Sequence, residues 1–157
     1  ALAARWSHRT DVAVRHVTGE RDHASVVERV PDTRGLHYDV VPYDDRMAVS
    51  LAAADLAVTR AGAGTCTELA AFGVPAVMVP LPIATRDHQR ANAAVLVEAG
   101  AAVLVPDDEL DVDRLERELD ALLDDAPRRT AMAEAMAGEG RLDAAERVAE
   151  VVEGAWS

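Results

Sequence analysis

Apolar and polar positions along the chain sort into short apolar runs that alternate with stretches of helical spacing. Ala1 to Ser7 reads as the tail of a helix, and Val12, Val14 and Val17 mark a strand from Asp11 to Thr18 that Gly19 ends. A short helix from Asp22 to Val30 and a strand from Leu36 to Pro42 follow. Asp44 or Asp45 then caps a helix to about Ala54, whose face Met47, Leu51, Ala54 repeats at i, i+4, i+7. Asp55 to Arg60 is a β-rich run, Ala61 to Gly64 a turn of small residues, and Thr65 to Phe72 a helix with Leu69 and Phe72 apolar. Gly73 ends that helix and Pro75 forbids its return. Ala76 to Val79 is the next strand, bounded by Pro80 and Pro82. Asp87 to Ala99 predicts a helix with Ala91, Val95 and Leu96 inward, closed by Gly100 before a strand from Ala101 to Val105. Three helices complete the pattern: Asp111 to Leu123, with Leu115, Leu119, Leu122 and Leu123 on one side; Pro127 to about Ala137; and Leu142 to Val152, past Gly138 and Gly140. The acidic run Asp107-Asp108-Glu109 reads most simply as a solvated loop.

The alternation of strand, turn and helix around Ala54 to Asn92 predicts a βαβ unit within a parallel α/β fold, its functional loops at the carboxyl ends of the strands. Composition agrees. Half of the 157 residues are apolar and only 3% aromatic, so the core must be built of Ala, Val and Leu, as in a sheet covered on both faces. The formal net charge of −12 argues against nucleic acid or an anionic membrane surface as a partner of this domain. All 16 cationic residues are arginine, which points to coding bias rather than chemistry. Cys66 is the single cysteine, so no internal disulfide forms, and a small half-buried filler is the plainer reading of it than a reactive thiol. His16, His23 and His37 have no metal-ligand spacing and read as structural or exposed. The sequence carries no signal-peptide pattern and no apolar run of membrane length.

The chemistry a glycine turn before a helix offers is anion binding. The leading N–H groups of a helix lack intrahelical partners, and the dipole places roughly half a positive charge there. A phosphate or diphosphate therefore fits that end without a basic side chain. Thr65-x-x-Glu68 is equally a capping box, which would satisfy those donors internally, and the spacing alone leaves both readings open. Neither a Walker loop nor a GxGxxG fingerprint is present. Arg60 would either neutralise a diphosphate or simply end its strand.

The residues Arg60-Ala61-Gly62-Ala63-Gly64-Thr65, Glu68, Gly73-Val74-Pro75-Ala76, Pro80-Leu81-Pro82 and His88-Gln89-x-x-Asn92-Ala93 resemble the donor half of the MurG family, together with Tyr43-Asp44-Asp45-Arg46-Met47 upstream. These are GlcNAc transferases of GT-B fold that convert lipid I to lipid II in peptidoglycan synthesis. The resemblance covers nearly the whole chain. It implies a Rossmann-like parallel sheet with helices on both faces, the C-terminal half of a GT-B fold lacking its first strand. It also implies that residues 1–157 form a nucleotide-sugar-binding domain, incomplete at its N-terminus, with the acceptor domain and the catalytic base elsewhere in a longer polypeptide. In the family a strand ending in a Gly-Gly-Ser loop precedes the first helix seen in this chain.

Carried over by position, the resemblance assigns Glu68 to the ribose hydroxyls of UDP and Gly62, Ala63, Gly64 and Thr65 to the diphosphate, with Cys66 and Thr67 in the same turn. Asp44 falls where the family reads uracil through backbone atoms, commonly with an aliphatic residue, and Met47 would pack nearby or serve the core. His88 and Gln89 fall where two polar residues face the sugar. The family often has Gln or Glu at the first of these, and Gln89 alone would serve equally as a loop cap. The implied activity is inverting transfer of GlcNAc from UDP-GlcNAc to undecaprenyl-pyrophosphoryl-MurNAc-pentapeptide, with no cofactor or metal. The implied location is the cytoplasmic face of the plasma membrane, reached through the other domain. Two alternatives stand beside it: a UDP- or TDP-sugar transferase for a glycolipid or natural product, and a non-catalytic nucleotide-sugar-binding subunit that needs a partner chain.

Overall fold

The computed structural model describes residues 1–82, 88–141, 143–154 and 156. The predicted helix starts at Asp87 and Leu142 lie outside the described residues. The chain divides into two compact units, Ala1–Val49 and Ser50–Ser157.

The first unit opens with α1 (Leu2–Arg5), a single turn that leads Trp6 into a buried position. β1 (Ala13–Val17) and β2 (His37–Val41) pair in parallel with Arg15 opposite Asp39, and α2 (Glu20–Val27) makes the crossover. The Thr18 N–H donates to Val41 C=O at 3.0 Å and prolongs the ladder by one rung. Gly35 packs against the main chain of Ser7 and His8, and its N–H donates to Ser7 C=O at 2.6 Å. α3 (Met47–Ala52) follows the turn that leaves β2.

In the second unit β3 (Ala57–Thr59), β4 (Ala76–Met78) and β5 (Ala102–Leu104) form a parallel sheet in the order β3-β4-β5. Ala57 stands opposite Ala76, and Ala76 opposite Ala102. β4 is the middle strand, and all three of its residues are buried, which is why its sequence is a continuous apolar run. α4 (Ala63–Phe72) and α5 (His88–Glu98) join the strands. A 3-10 turn at Asp107–Glu109 leads to α6 (Val112–Leu123), α7 (Ala126–Gly138) and α8 (Ala144–Gly154).

Most helix ends follow from the residues at them. The Asp111 carboxylate accepts the Arg114 N–H at 2.7 Å and starts α6, and Asp125 accepts the Arg128 N–H at 2.9 Å and starts α7, with Pro127 in its first turn. α4 and α5 end at Gly73 (φ +65°) and Gly100 (φ +77°), a backbone conformation that costs a side chain about 1 kcal/mol or more. From there the Val74 N–H turns back to Leu69 C=O at 3.0 Å, and the Ala101 N–H to Leu96 C=O at 2.8 Å.

The core of the second unit gathers Leu69, Ala70, Val74, Met78, Ala93, Leu96 and Met136, with Leu51 of α3 and Ala54 just beyond that helix packed on it. Methionine joins the expected Ala, Val and Leu. On α5 Leu96 lies inward as predicted, but Ala93 joins it in place of Ala91 and Val95, which are exposed. Ala93 and Leu96 stand three apart on one helix face, and that face, not the larger side chain of Val95, sets the contact. Phe72 is also exposed, and Leu69 and Ala70 carry the buried face of α4.

Gly140 is where the chain beyond α7 comes closest to α4. A Cβ there would stand 2.9 Å from Ala70 O, which is backbone and cannot turn aside. Gly140→Ala is expected to lower unfolding stability by about 1–3 kcal/mol, the usual cost of overpacking. Gly138→Ala, whose Cβ would meet nothing within 4 Å, is expected to leave stability unchanged or raise it by roughly 0.5 kcal/mol. Urea midpoints of the two variants measured side by side check the contrast.

Candidate functional site

The second unit presents a turn built to aim bare main-chain donors. β3 ends at Thr59, and Ala61, fully buried, brings the chain round to Gly62. Two side chains from distant parts of the sequence hold this bend. Asn92 Nδ2 donates to Ala61 C=O at 3.0 Å. The Arg60 guanidinium donates to Val79 C=O at 3.1 Å and pairs with Asp107. The carboxyl ends of β3 and β4 and the turn after β5 are thereby tied together. Arg60 thus ends its strand as a clamp, with its charge answered by Asp107. Asp107-Asp108-Glu109 forms a 3-10 turn in which Asp108 and Glu109 are exposed, as expected of a solvated segment, while Asp107 meets Arg60 and Glu109 accepts Arg114 Nη1 at 3.1 Å.

α4 begins at Ala63, two residues earlier than its apolar spacing suggests. Gly62 is its N-cap, with extended backbone at φ −66° and ψ 146°, and no side chain caps the helix. The capping box is therefore not formed: Thr65 is the third residue of the helix, one turn too far along to act as cap. The Gly62 carbonyl accepts the Cys66 N–H at 2.9 Å. The N–H groups of Ala63, Gly64 and Thr65 precede that first intrahelical bond and point out of the helix end. A Cβ on Gly64 would meet nothing within 4 Å, so the approach to those donors is open among the described residues. Thr67 is exposed, and its hydroxyl is engaged with its own helix, Oγ1 donating to Ala63 C=O at 3.0 Å. Glu68 is exposed one turn beyond Gly64, and among the described residues no hydrogen bond or ion pair engages its carboxylate.

Cys66 is half-buried against the core, as a filler would be, and desolvation pushes its thiol above the ordinary range. At the start of α5, His88 is exposed while Gln89 Oε1 accepts the Leu81 N–H at 3.0 Å, so Gln89 does cap the Pro80–Leu81 loop. Its amide nitrogen keeps the donors. Asn92, one turn on, received no role from its sequence position, and nothing short of the fold places it under Ala61, 31 residues away.

The first unit carries Asp44 and Met47. Asp44 is buried: its Oδ1 accepts the Arg46 N–H at 3.0 Å and its Oδ2 accepts Arg15 Nε at 2.8 Å. That bond closes a turn ahead of α3, whose first residue is Met47, and is not the helix cap expected of Asp44. Arg15 also reaches Asp39 on the neighbouring strand at 2.5 Å. Met47 is 36% exposed and lies outside the core cluster of the second unit. His16 accepts or donates a 2.9 Å hydrogen bond with the Tyr38 hydroxyl, and burial pulls its imidazole below the ordinary histidine range. His37 is exposed, and His23 Nδ1 lies 3.3 Å from the Thr18 hydroxyl. No group of three or more His, Cys, Asp or Glu among the described residues is placed to hold a metal ion. No described helix is long and apolar enough to cross a membrane.

Parallel strands, a glycine turn into an uncapped helix and an acidic residue one turn on define the Rossmann-like C-terminal half of a GT-B fold. Residues 1–148 match the glycosyltransferase family 28 C-terminal domain, and the chain belongs to that family. It is 49% identical over 151 residues to a UDP-N-acetylglucosamine--N-acetylmuramyl-(pentapeptide) pyrophosphoryl-undecaprenol N-acetylglucosamine transferase of Alkalilimnicola ehrlichii, covering 96% of this chain and 42% of that protein. A protein of the same name from Acidothermus cellulolyticus is 47% identical over 146 residues, covering 90% of this chain and 39% of that protein. Among solved structures, Acinetobacter baumannii MurG superposes with a TM-score of 0.87 at 31% identity, over 98% of this chain and 44% of that one. The chain thus spans about two fifths of the length of the curated relatives it matches.

Because burial raises the Cys66 thiol, little thiolate exists near neutral pH. Alkylation of Cys66 is expected to run slower than that of the urea-unfolded chain at pH 7, and to rise with pH along a curve displaced above that of an ordinary thiol. A rate-against-pH profile for the folded and unfolded chain checks both.

Proposed function

We propose that this chain is the donor-binding domain of an inverting glycosyltransferase that moves GlcNAc from UDP-GlcNAc to a lipid-linked MurNAc-pentapeptide, the step from lipid I to lipid II. The observation that carries the reading is the uncapped start of α4 with Glu68 exposed one turn beyond it. The names of the relatives support it.

On this reading the diphosphate of UDP sits before Gly62, Ala63, Gly64 and Thr65, where three N–H groups and the helix dipole meet it. Cys66 and Thr67 complete that turn without offering their side chains, since Cys66 faces the core and Thr67 bonds to Ala63. Glu68 accepts hydrogen bonds from both ribose hydroxyls, which a carboxylate suits because each oxygen takes one. His88 and the amide nitrogen of Gln89 face the sugar.

The reaction is attack of an acceptor hydroxyl on the anomeric carbon with departure of UDP. Charge grows on the leaving diphosphate as that bond breaks. Donors already aimed at it therefore bind the transition state more tightly than the substrate. The helix end does work that a cation does elsewhere, and the reading invokes no resident metal or cofactor. The general base and the acceptor site belong to the remainder of the full-length protein. That protein works at the cytoplasmic face of the membrane, where its lipid substrate is reached without direct membrane contact by this acidic domain.

His88 favours a second reading, in which the donor carries a different sugar, because an exposed imidazole stands where the resemblance calls for Gln or Glu. Calorimetry with UDP-GlcNAc against other UDP- and TDP-sugars separates the two.

Glu68→Ala in the full-length protein is expected to weaken UDP by about 3 kcal/mol or more, roughly a hundredfold, as two charge-assisted hydrogen bonds are lost. Unchanged affinity would refute the role of Glu68.

A further inference from the structure

Three carbonyl groups stand where they could extend α4 backwards. They belong to Thr59, Arg60 and Ala61, each four residues before the N–H of Ala63, Gly64 and Thr65. Each is engaged by a different group. The Thr59 C=O accepts the Val79 N–H at 2.9 Å and continues the ladder between β3 and β4. The Arg60 C=O accepts the Thr59 hydroxyl at 3.1 Å. The Ala61 C=O accepts Asn92 Nδ2 at 3.0 Å, and among the described residues no other hydrogen bond reaches it. With these acceptors taken, the first helical bond is the one from Cys66 N–H to Gly62 C=O, and the three amides before it keep their donors.

The three engagements differ in kind. The first is part of the sheet and the second comes from the preceding residue. The third is supplied by one side chain of α5, 31 residues away. Ala61 is fully buried, so its carbonyl cannot turn to water when Asn92 is removed. The donor closest in sequence is the Thr65 N–H, four residues on, and that bond adds one residue to the helix. Gly62 is the joint at which the addition happens. Its ψ of 146° is extended, and a residue without Cβ passes from extended to helical backbone at little steric cost.

We propose that Asn92 is a positioning residue for the diphosphate: by holding the Ala61 carbonyl it keeps the Thr65 N–H from closing onto its own helix. This rests on the assignment of the α4 amides to the diphosphate under the proposed function. Every group in the argument lies within the second unit. The role needs a neutral donor of fixed reach, and a carboxylate of the same shape has no donor at neutral pH.

The experiment is amide hydrogen exchange, resolved residue by residue by NMR on the full-length protein, with calorimetry beside it. The probes are UDP and uridine, which lacks the diphosphate. In the unaltered protein the Ala63, Gly64 and Thr65 amides are expected to exchange freely without ligand and to slow with UDP. In Asn92→Ala the Thr65 amide alone is expected to slow without ligand, by about tenfold, as one hydrogen bond forms. UDP affinity should fall about tenfold with the loss of one donor to a charged group, and uridine affinity should not change. The Val79 N–H, bonded to Thr59, reports that the sheet is intact. If Asn92→Ala speeds its exchange, Asn92→Asp is read in the same way, and loosening in both variants would assign Asn92 to the fold and overturn the proposal. Unchanged Thr65 exchange in the variant, or equal losses for UDP and uridine, would also overturn it. So would an unaltered protein in which UDP slows Ala63 and Gly64 but not Thr65, which leaves the proposed function standing. Failure of the unaltered protein to bind UDP, or binding that slows none of the three amides, would overturn the proposed function and this inference with it.

Discussion

The hydrogen bond from Asn92 to Ala61, with the Arg60 clamp beside it, is the constraint on which the second unit depends. A helix end that offers its leading N–H groups to a ligand leaves them without an internal partner until the ligand arrives. That arrangement survives only if the bend feeding the helix cannot relax into a capped one. Ala61 is buried, its carbonyl is held from α5, and Arg60 is fastened to Val79 and Asp107. Three strand ends are thus committed to one geometry, and α4 begins where that geometry puts it.

This explains why the capping box suggested by Thr65 and Glu68 does not form. A local motif competes for the helix start, but tertiary contacts at residues 60 and 61 begin the helix two positions earlier. Glu68 is left exposed instead of folding back on its own helix. The structural cost of an uncapped end, on the order of 1 kcal/mol, is carried by the clamps. In the first unit Asp44 turns its carboxylate inward, onto the Arg46 N–H and the Arg15 guanidinium.

Much of the fold was legible because it is written in local chemistry. The apolar triplet of β4, the Asp111 and Asp125 caps and the glycine at the end of α4 each sit within a few residues of what they determine. The family was legible because its loop residues fall at fixed spacing. What the sequence did not reveal acts across distance. Asn92 reaches Ala61 over 31 residues, Arg60 reaches Asp107 over 47, and Arg15 reaches Asp44 over 29. Nothing in the local pattern distinguishes such a residue from a solvated one, as the reading of Asp107 illustrates. On α5 Leu96 lies inward as its spacing predicts, whereas the packing partner, not side-chain size, selects Ala93 over Ala91 and Val95.

The central claim is that undefended main-chain amides at the head of α4 receive a diphosphate. A crystal structure of the full-length protein with UDP tests it most directly. The account predicts phosphate oxygens within about 3 Å of the Ala63, Gly64 and Thr65 nitrogens, with the ribose hydroxyls on Glu68. A diphosphate bound to side chains elsewhere, with these three amides still facing water, would contradict it.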